Sequence, residues 1–181
     1  MRIAVVMSLY RNDTIEYVTL AVESILNQTY SDFDFYIQYD GHIKDEVDLY
    51  LSSLEDARIH IYKRDENKGL AKSLNELLSV VMPLDYQFIA RMDADDISTP
   101  DRFEKQVNYL QNHPEVDVVG GAINEIDENG MNRGKVTSYP CTSEECRAFF
   151  AKRNPVAHPT VMFRRSFFDK AGWHYPTDYV R

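Results

Sequence analysis

The stretch IAVVMSL, residues 3–9, followed by NDTIEYVTLAVESILN, residues 12–27, decides the fold class. The first run is almost continuously apolar, as a strand buried on both faces must be. In the second, Ile15, Val18, Val22, Ile25 and Leu26 recur at helical spacing. Asp13 and Glu16 stand three apart ahead of them, the spacing of a capping box with Asp13 as the cap. The spacing therefore predicts a helix over about 14–27. A buried strand feeding an amphipathic helix is the opening unit of a parallel sheet.

The same alternation continues outward. Residues 35–39 read as a second strand ending at Asp40-Gly41, and 45–54 as a helix through Val47, Leu51 and Leu54. Residues 58–63 alternate with Ile59 and Ile61 on one face, a third strand. Gly69 opens a strongly amphipathic helix carrying Leu70, Leu74, Leu77, Leu78 and Val81, stopped by Pro83. Residues 86–92 form a fourth strand. Thr99-Pro100 predicts the next helix start, because Thr caps and Pro fits the first turn. Residues 116–126 read as one fifth strand before the turn Glu128-Asn129-Gly130. A short helix over 143–152, a strand over 160–163 and a helix from Ser166 close the chain. The order implies an α/β protein, a mostly parallel central sheet with helices on both faces.

Composition bounds the function. The 181 residues carry 20 Lys plus Arg against 29 Asp plus Glu, a net charge of −9, so non-specific binding to nucleic acid is excluded as a role. With 44% apolar residues, nine Phe and twelve Tyr, the chain has ample material for a core. The two cysteines, Cys141 and Cys146, are not at CxxC spacing and have no His at zinc-ligand spacing. They read as reduced thiols of a cytoplasmic protein. The apolar run after Met1 is too short for a secretion signal, and no stretch approaches the ~20 apolar residues of a membrane span.

In parallel sheets ligands sit at the carboxyl ends of strands. The sharpest cluster falls there: Arg91-Met92-Asp93-Ala94-Asp95-Asp96. Three carboxylates within four positions repel one another, and a divalent cation is the natural compensation. Hard oxygen ligands suit Mg²⁺ or Mn²⁺ held together with substrate phosphates. Asp93 and Asp95, two apart on extended chain, point the same way. Asp40 can accept hydrogen bonds from a base or ribose, although an Asp-Gly turn explains it as well. Asn67-Lys68-Gly69 before a helix is either an anion site or a plain cap. The chain has no G-x-G-x-x-G, P-loop or G-x-S-x-G, and Asp127-Glu128-Asn129-Gly130 lacks the closing Glu of a calcium loop.

Five segments then resemble family 2 glycosyltransferases of the GT-A fold, in order and across nearly the whole chain: Val5 to Tyr10, Ser24 to Tyr30, Asn67 to Ala71, Arg91 to Asp96 and His158 to Arg164. The resemblance is to bacterial enzymes that build surface polysaccharides such as capsule, exopolysaccharide or O-antigen. It implies a Rossmann-like GT-A domain over 1–181, with 1–100 binding the nucleotide-sugar donor and 101–181 starting the acceptor side. Tyr10 and Asp40 would line the nucleobase pocket, Lys68 would lie near the nucleotide, and Asp93 and Asp95 match the DxD motif that holds Mg²⁺ or Mn²⁺ on the diphosphate. Asp93 would also reach the ribose. His158 would lie on the acceptor side, or simply bond within its Pro-flanked loop.

The departures are Ser8 where the family has Pro, Arg11 where Asn is common, Tyr39 before Asp40 and His42 in place of a serine. The family's acidic pair, whose Asp is the general base, is due about where the chain reaches Arg181. The base is therefore expected beyond Arg181, with Asp178 a minor candidate. The implied activity is metal-dependent, inverting transfer of a hexosyl group from a UDP- or GDP-sugar to a saccharide or lipid-linked acceptor. A lipid-linked acceptor would bring the protein to the inner face of the membrane. Two other readings stand beside it. One is a non-catalytic nucleotide-sugar binding module. The other is a DxD phosphotransferase, ranked last because such enzymes carry their aspartates after the first strand.

Overall fold

The computed structural model describes residues 1–127, 130–171 and 174–177. Eight strands and six helices follow one another as β1 (Ile3–Leu9), α1 (Ile15–Leu26), β2 (Phe33–Tyr39), α2 (Asp45–Ser52), β3 (Ile59–Tyr62), α3 (Leu70–Val81), β4 (Phe88–Arg91), α4 (Arg102–Asn112), β5 (Val118–Val119), β6 (Ile123–Ile126), β7 (Asn132–Thr137), α5 (Ser143–Phe149), β8 (Met162–Arg164) and α6 (Arg165–Ala171). The main sheet runs β3-β2-β1-β4-β8-β5. Its first four strands are parallel, and β8 joins β4 antiparallel, with β5 antiparallel to β8. β6 and β7 make a separate antiparallel hairpin.

Alternation along β1 builds two cores. Ile3, Val5, Met7 and Leu9 face α1, α2 and α4, packing with Phe35, Ile37, Val22, Ile25 and Phe103. Ala4 and Val6 face α3 and α6, packing with Leu74, Leu77, Ile89 and Phe168. A strand sandwiched this way must be apolar at nearly every position, and in residues 3–9 only the part-buried Ser8 near the end is polar.

Chain order reverses at β1. β2 is added on one side and β4 on the other, so the carboxyl ends of β1 and β4 open a crevice between them.

Four expectations are corrected. Asp13 is not the cap of α1: Thr14 takes that position without a side-chain bond, and the Asp13 carboxylate accepts from the Tyr10 N–H at 2.8 Å. Thr99-Pro100 does not begin a helix. α4 starts at Arg102 after Asp101, because the Thr99 carbonyl accepts from Gln28 Nε2 at 2.7 Å and the Pro100 carbonyl from the Thr29 N–H at 2.8 Å. The single strand over 116–126 is two short ones in different sheets. Gly120 and Gly121 break it where Thr160 Oγ1 accepts from the Gly121 N–H at 2.9 Å. The strand expected over 160–163 begins at Met162, after a 3₁₀ turn at His158–Thr160. The strand at 132–137 had no counterpart in the sequence reading.

Gln28 explains its segment. Buried at the end of α1, it places Nε2 within 3.0 Å of the Ser24 carbonyl, 3.2 Å of Ser98 Oγ and 2.7 Å of the Thr99 carbonyl, while its oxygen accepts from the Phe103 N–H at 3.0 Å. One amide thus fixes where α4 begins relative to α1. Gln28→Ala strands several buried polar groups and should cost about 3 kcal/mol. For a chain of this size that lowers Tm by about 6–12 °C, measured by calorimetry. A shift under about 2 °C would show that the amide carries no such duty.

Candidate functional site

A cavity of about 840 Å³ opens at the crevice and is lined by the loops after β1, β2, β3 and β4. Among its lining residues are Tyr10, Asp40, Asp93 and Asp95, so four of the residues singled out from sequence share one space. Each arrives at the end of a strand. Tyr10 follows β1 and is held in a closed turn by the Tyr10 N–H to Asp13 Oδ2 bond and by the Asp13 N–H donating to the Tyr10 carbonyl at 3.0 Å. Its ring stays 43% exposed, facing the cavity side. Asp40 follows β2 and is 4% exposed, its N–H donating to the Leu9 carbonyl at 2.7 Å. Asp93 and Asp95 follow β4, whose register on β1 is continued by the Met92 N–H donating to the Val6 carbonyl at 3.1 Å.

Lys68 and His158 are not in that lining. Lys68 contributes its backbone N–H to Asp40 Oδ1 at 2.7 Å, while its ammonium lies 3.4 Å from Glu66 in an exposed pair. His158 sits behind the acidic cluster instead of beside the cavity. Asp178 lies outside the described residues.

The site is electrostatically two-layered. In front, Asp13, Asp93, Asp95 and Asp96 crowd together. Asp13 is pushed up to about 6, first by burial and then by the charges of Asp95 and Asp93. Asp96 is likewise pushed up to about 6 by burial and by Asp93 and Asp95. Behind them lie the buried Arg91 and the half-buried Arg102. Arg91, with a side chain 1% exposed, pairs with Asp93 through Nη2 and contacts the His158 ring through Nη1. Arg102 donates from Nη2 to the Arg91 carbonyl at 2.7 Å. Burial lowers its pKa to about 10 against the pull of Asp96 and Asp93.

This arrangement fits a hard divalent cation. The front carboxylates are oxygen donors in excess of their counter-charges, and two of them resist ionisation, first through burial and then through their neighbours' charge. Asp93 and Asp95 line the open cavity together with Asp13, and Asp96 does not. Among the described residues no three His, Cys, Asp or Glu side chains form a preformed metal cage, so the ligand itself would complete the coordination.

The lining also takes in Arg11, Asn12, His42, Asp65 and Asn67, all just past the strand ends where the sequence places a ligand; Asn67 stands in the candidate anion site, and the sequence assigns no individual binding role to the other four. They sit on loops without a periodic signature. Arg91 was legible in principle. A guanidinium at the end of an apolar strand must find a carboxylate, and Asp93 is the partner two residues on.

Comparison with known proteins places these features. A family model described as "Glycosyl transferase family 2" matches residues 4–172. The O-antigen biosynthesis glycosyltransferase WbnJ of Escherichia coli is 39% identical over 166 residues, covering 90% of this chain and 61% of that protein. The amylovoran biosynthesis glycosyltransferase AmsE of Erwinia amylovora is 33% identical over 170 residues, covering 93% and 62%. The chain thus spans about three-fifths of the length of these relatives. Among solved structures, residues 1–349 of S. aureus TarS in complex with UDP-GlcNAc superpose with a TM-score of 0.74 at 15% identity, over 97% of this chain and 49% of that one. This likeness shows the fold, a GT-A fold.

His158 yields a pH signature. Burial, helped by the Arg91 charge, holds its imidazole down at about 4, so it is neutral at pH 7 and accepts from the guanidinium. Unfolded, it binds a proton below about 6.5. Between those values the unfolded state holds more protons, so its contribution to stability falls as pH drops from about 6.5 towards 4. Asp13 and Asp96, raised to about 6, act in the opposite direction from about 4 to 6. The His158 contribution is therefore read by difference. In urea unfolding, the stability gap between wild type and His158→Gln should be larger at pH 7 than at pH 5. A gap that is the same or wider at pH 5 would contradict a neutral, buried His158.

Proposed function

The chain belongs to glycosyl transferase family 2, and from that footing we propose that it transfers a sugar from a nucleotide-diphosphate donor to a saccharide or lipid-linked acceptor in bacterial polysaccharide biosynthesis. The observation that carries the proposal is the shared cavity. Asp40 after β2 and Asp93 and Asp95 after β4 flank Tyr10 after β1, at the switch point of the sheet. The names of the two bacterial relatives support polysaccharide assembly as the setting. The UDP-GlcNAc complex of TarS supports a nucleotide sugar as the donor class. The base is then uracil or guanine, each of which presents a ring N–H to a carboxylate.

Each residue then has a task. The exposed Tyr10 ring offers a face for the base, and Asp40 accepts from it. Asp93 and Asp95 would hold Mg²⁺ or Mn²⁺, which when bound supplies Lewis-acid neutralisation of the charge on the leaving diphosphate. Arg91 holds Asp93 through one of its two oxygens. Lys68 acts through its backbone N–H on Asp40. His158, neutral against Arg91, supports that guanidinium. In an inverting transfer the acceptor hydroxyl oxygen bonds to the anomeric carbon while the bond from that carbon to the diphosphate oxygen breaks. The hydroxyl proton passes to a carboxylate base. The base is proposed to lie outside the described residues, where Asp178 is one candidate and a position past Arg181 the other. Among the described residues no helix is long and apolar enough to cross a membrane.

Isothermal titration tests the donor site. UDP or GDP with Mn²⁺ should bind, and chelating the metal or introducing Asp95→Asn should weaken binding at least ~30-fold, the loss of one charge-assisted contact. Absence of binding to either nucleotide, or indifference to both changes, would sink the proposal. Donor binding with no sugar transfer by a chain containing the base would favour the non-catalytic binding module instead.

A further inference from the structure

We propose that Arg64 is a positioning residue for the nucleobase end of the cavity: it clamps one oxygen of Asp40 so that the other stands as the acceptor offered to the ligand. The proposal rests on the donor-site reading above and adds a residue that does not itself line the cavity.

The geometry is specific. Asp40 Oδ1 receives three donors: Arg64 Nη2, the Lys68 N–H at 2.7 Å and the Gly69 N–H at 3.1 Å. A carboxylate oxygen has about two lone-pair sites, so Oδ1 is fully used. No described group donates to Oδ2. The division of labour between the two oxygens is thus set by the loop before α3, not by the ligand.

Arg64 can do this because every arm of its fork is occupied. Nη2 also reaches Ser73 Oγ at 2.9 Å, Nη1 pairs with Glu76, and Nε donates to the Glu66 carbonyl at 2.8 Å. Its side chain is 12% exposed. Ser73 and Glu76 both belong to α3, so the helix anchors the guanidinium and the guanidinium anchors Asp40. A lysine ammonium is a point charge without a fork and could not join three elements in one plane.

The backbone is stitched to match. Asn67 Nδ2 donates to the Asp40 carbonyl at 3.1 Å. Gly41 has φ of 84°, and a Cβ there would come within 3.0 Å of the Asn67 nitrogen. Only glycine lets the turn after β2 lie this close to the loop after β3.

The chemical consequence is selectivity. A fixed, acceptor-only oxygen attracts a ring N–H, as in uracil or guanine, and repels a ring nitrogen lone pair, as in cytosine. Without Arg64 the carboxylate loses its counter-charge and can rotate, so preference should fall along with affinity.

The experiment titrates UDP, GDP and CDP, each with Mn²⁺, into wild type, Arg64→Lys, Arg64→Met, Glu76→Gln, Asp40→Asn and the Arg64→Met, Asp40→Asn double variant. Arg64→Met should weaken the better-bound of UDP and GDP about 30-fold but CDP less than about 3-fold, with Arg64→Lys in between. In the Asp40→Asn background, Arg64→Met should add no more than about 2-fold, the signature of a residue acting through another. Equal losses for UDP and CDP, or full additivity with Asp40→Asn, would mark Arg64 as merely structural and overturn the clamp. If Arg64→Met does not fold, Glu76→Gln decides. It frees one arm of the fork and should cost about 5-fold on the same nucleotide, and no change would overturn the clamp. Wild-type protein that binds neither UDP nor GDP removes the donor-site reading and the clamp together, whereas the preceding outcomes remove the clamp alone.

Discussion

The ion pair between Arg91 and Asp93 is the constraint around which the rest of the site is arranged. Arg91 ends β4 with a side chain almost wholly removed from water. A charge in that position costs several kcal/mol unless it is paired and hydrogen-bonded. Asp93 provides the pair, and the neutral His158 ring takes another N–H. The carbonyl of Arg91 is held by Arg102, which reaches it from α4. Through these contacts the end of β4, the start of α4 and the 3₁₀ turn before β8 become one unit. The acidic loop is mounted on that unit, with Asp93 drawn back onto Arg91.

The same logic explains why β8 runs antiparallel in an otherwise parallel sheet. The Arg91 N–H donates to the Val161 carbonyl at 2.9 Å, and Gln106 Nε2 donates to the Thr160 carbonyl at 2.7 Å. A segment returning alongside β4 in the opposite sense brings His158 to the back of the cluster at the strand's carboxyl end. A parallel strand would put that position at the far end of the sheet. Tyr175 adds to this back wall: its ring meets His158 edge-on at 5.6 Å, and its N–H donates to Asn75 Oδ1 at 2.7 Å on α3.

What the sequence made legible follows from periodicity. β1 through α3 repeat a buried strand and an amphipathic helix, each with its own pattern, and the acidic run at 93–96 stands where strand chemistry gives way to site chemistry. What it concealed are contacts made outside each helix or strand, most of them between segments far apart in the chain. Asp13 and Glu16 have capping-box spacing, yet Tyr10 captures the Asp13 carboxylate. Thr99-Pro100 has the look of a helix start, yet Gln28 and Thr29 take its carbonyls. Residues 116–126 are apolar enough for one strand, yet the Thr160 hydroxyl holds the chain at Gly121 and sends it into a second sheet. Lys68 drew attention as a cation, and it is the backbone of Lys68 that meets Asp40. In each case a local preference of about 1 kcal/mol gives way to a polar group that finds its partner elsewhere.

The net charge of −9 looked unsuited to an anionic donor. The distribution of charge resolves this better than the total does. Asp40 and Asp93 each have an arginine assigned to one oxygen, Arg64 in the first case and Arg91 in the second. Both guanidiniums are largely buried, so neither is screened by salt as a surface lysine would be. Both are also fixed before any ligand arrives. At two ends of the same cavity, then, a strand-end aspartate is half neutralised from within and leaves its remaining oxygen free. One end suits a neutral N–H donor and the other, crowded by Asp95 and Asp96, suits a cation. The difference between them lies in the number of neighbouring carboxylates, since the aspartate and its arginine are common to both. That is a local property, and a protein can carry it whatever its overall charge.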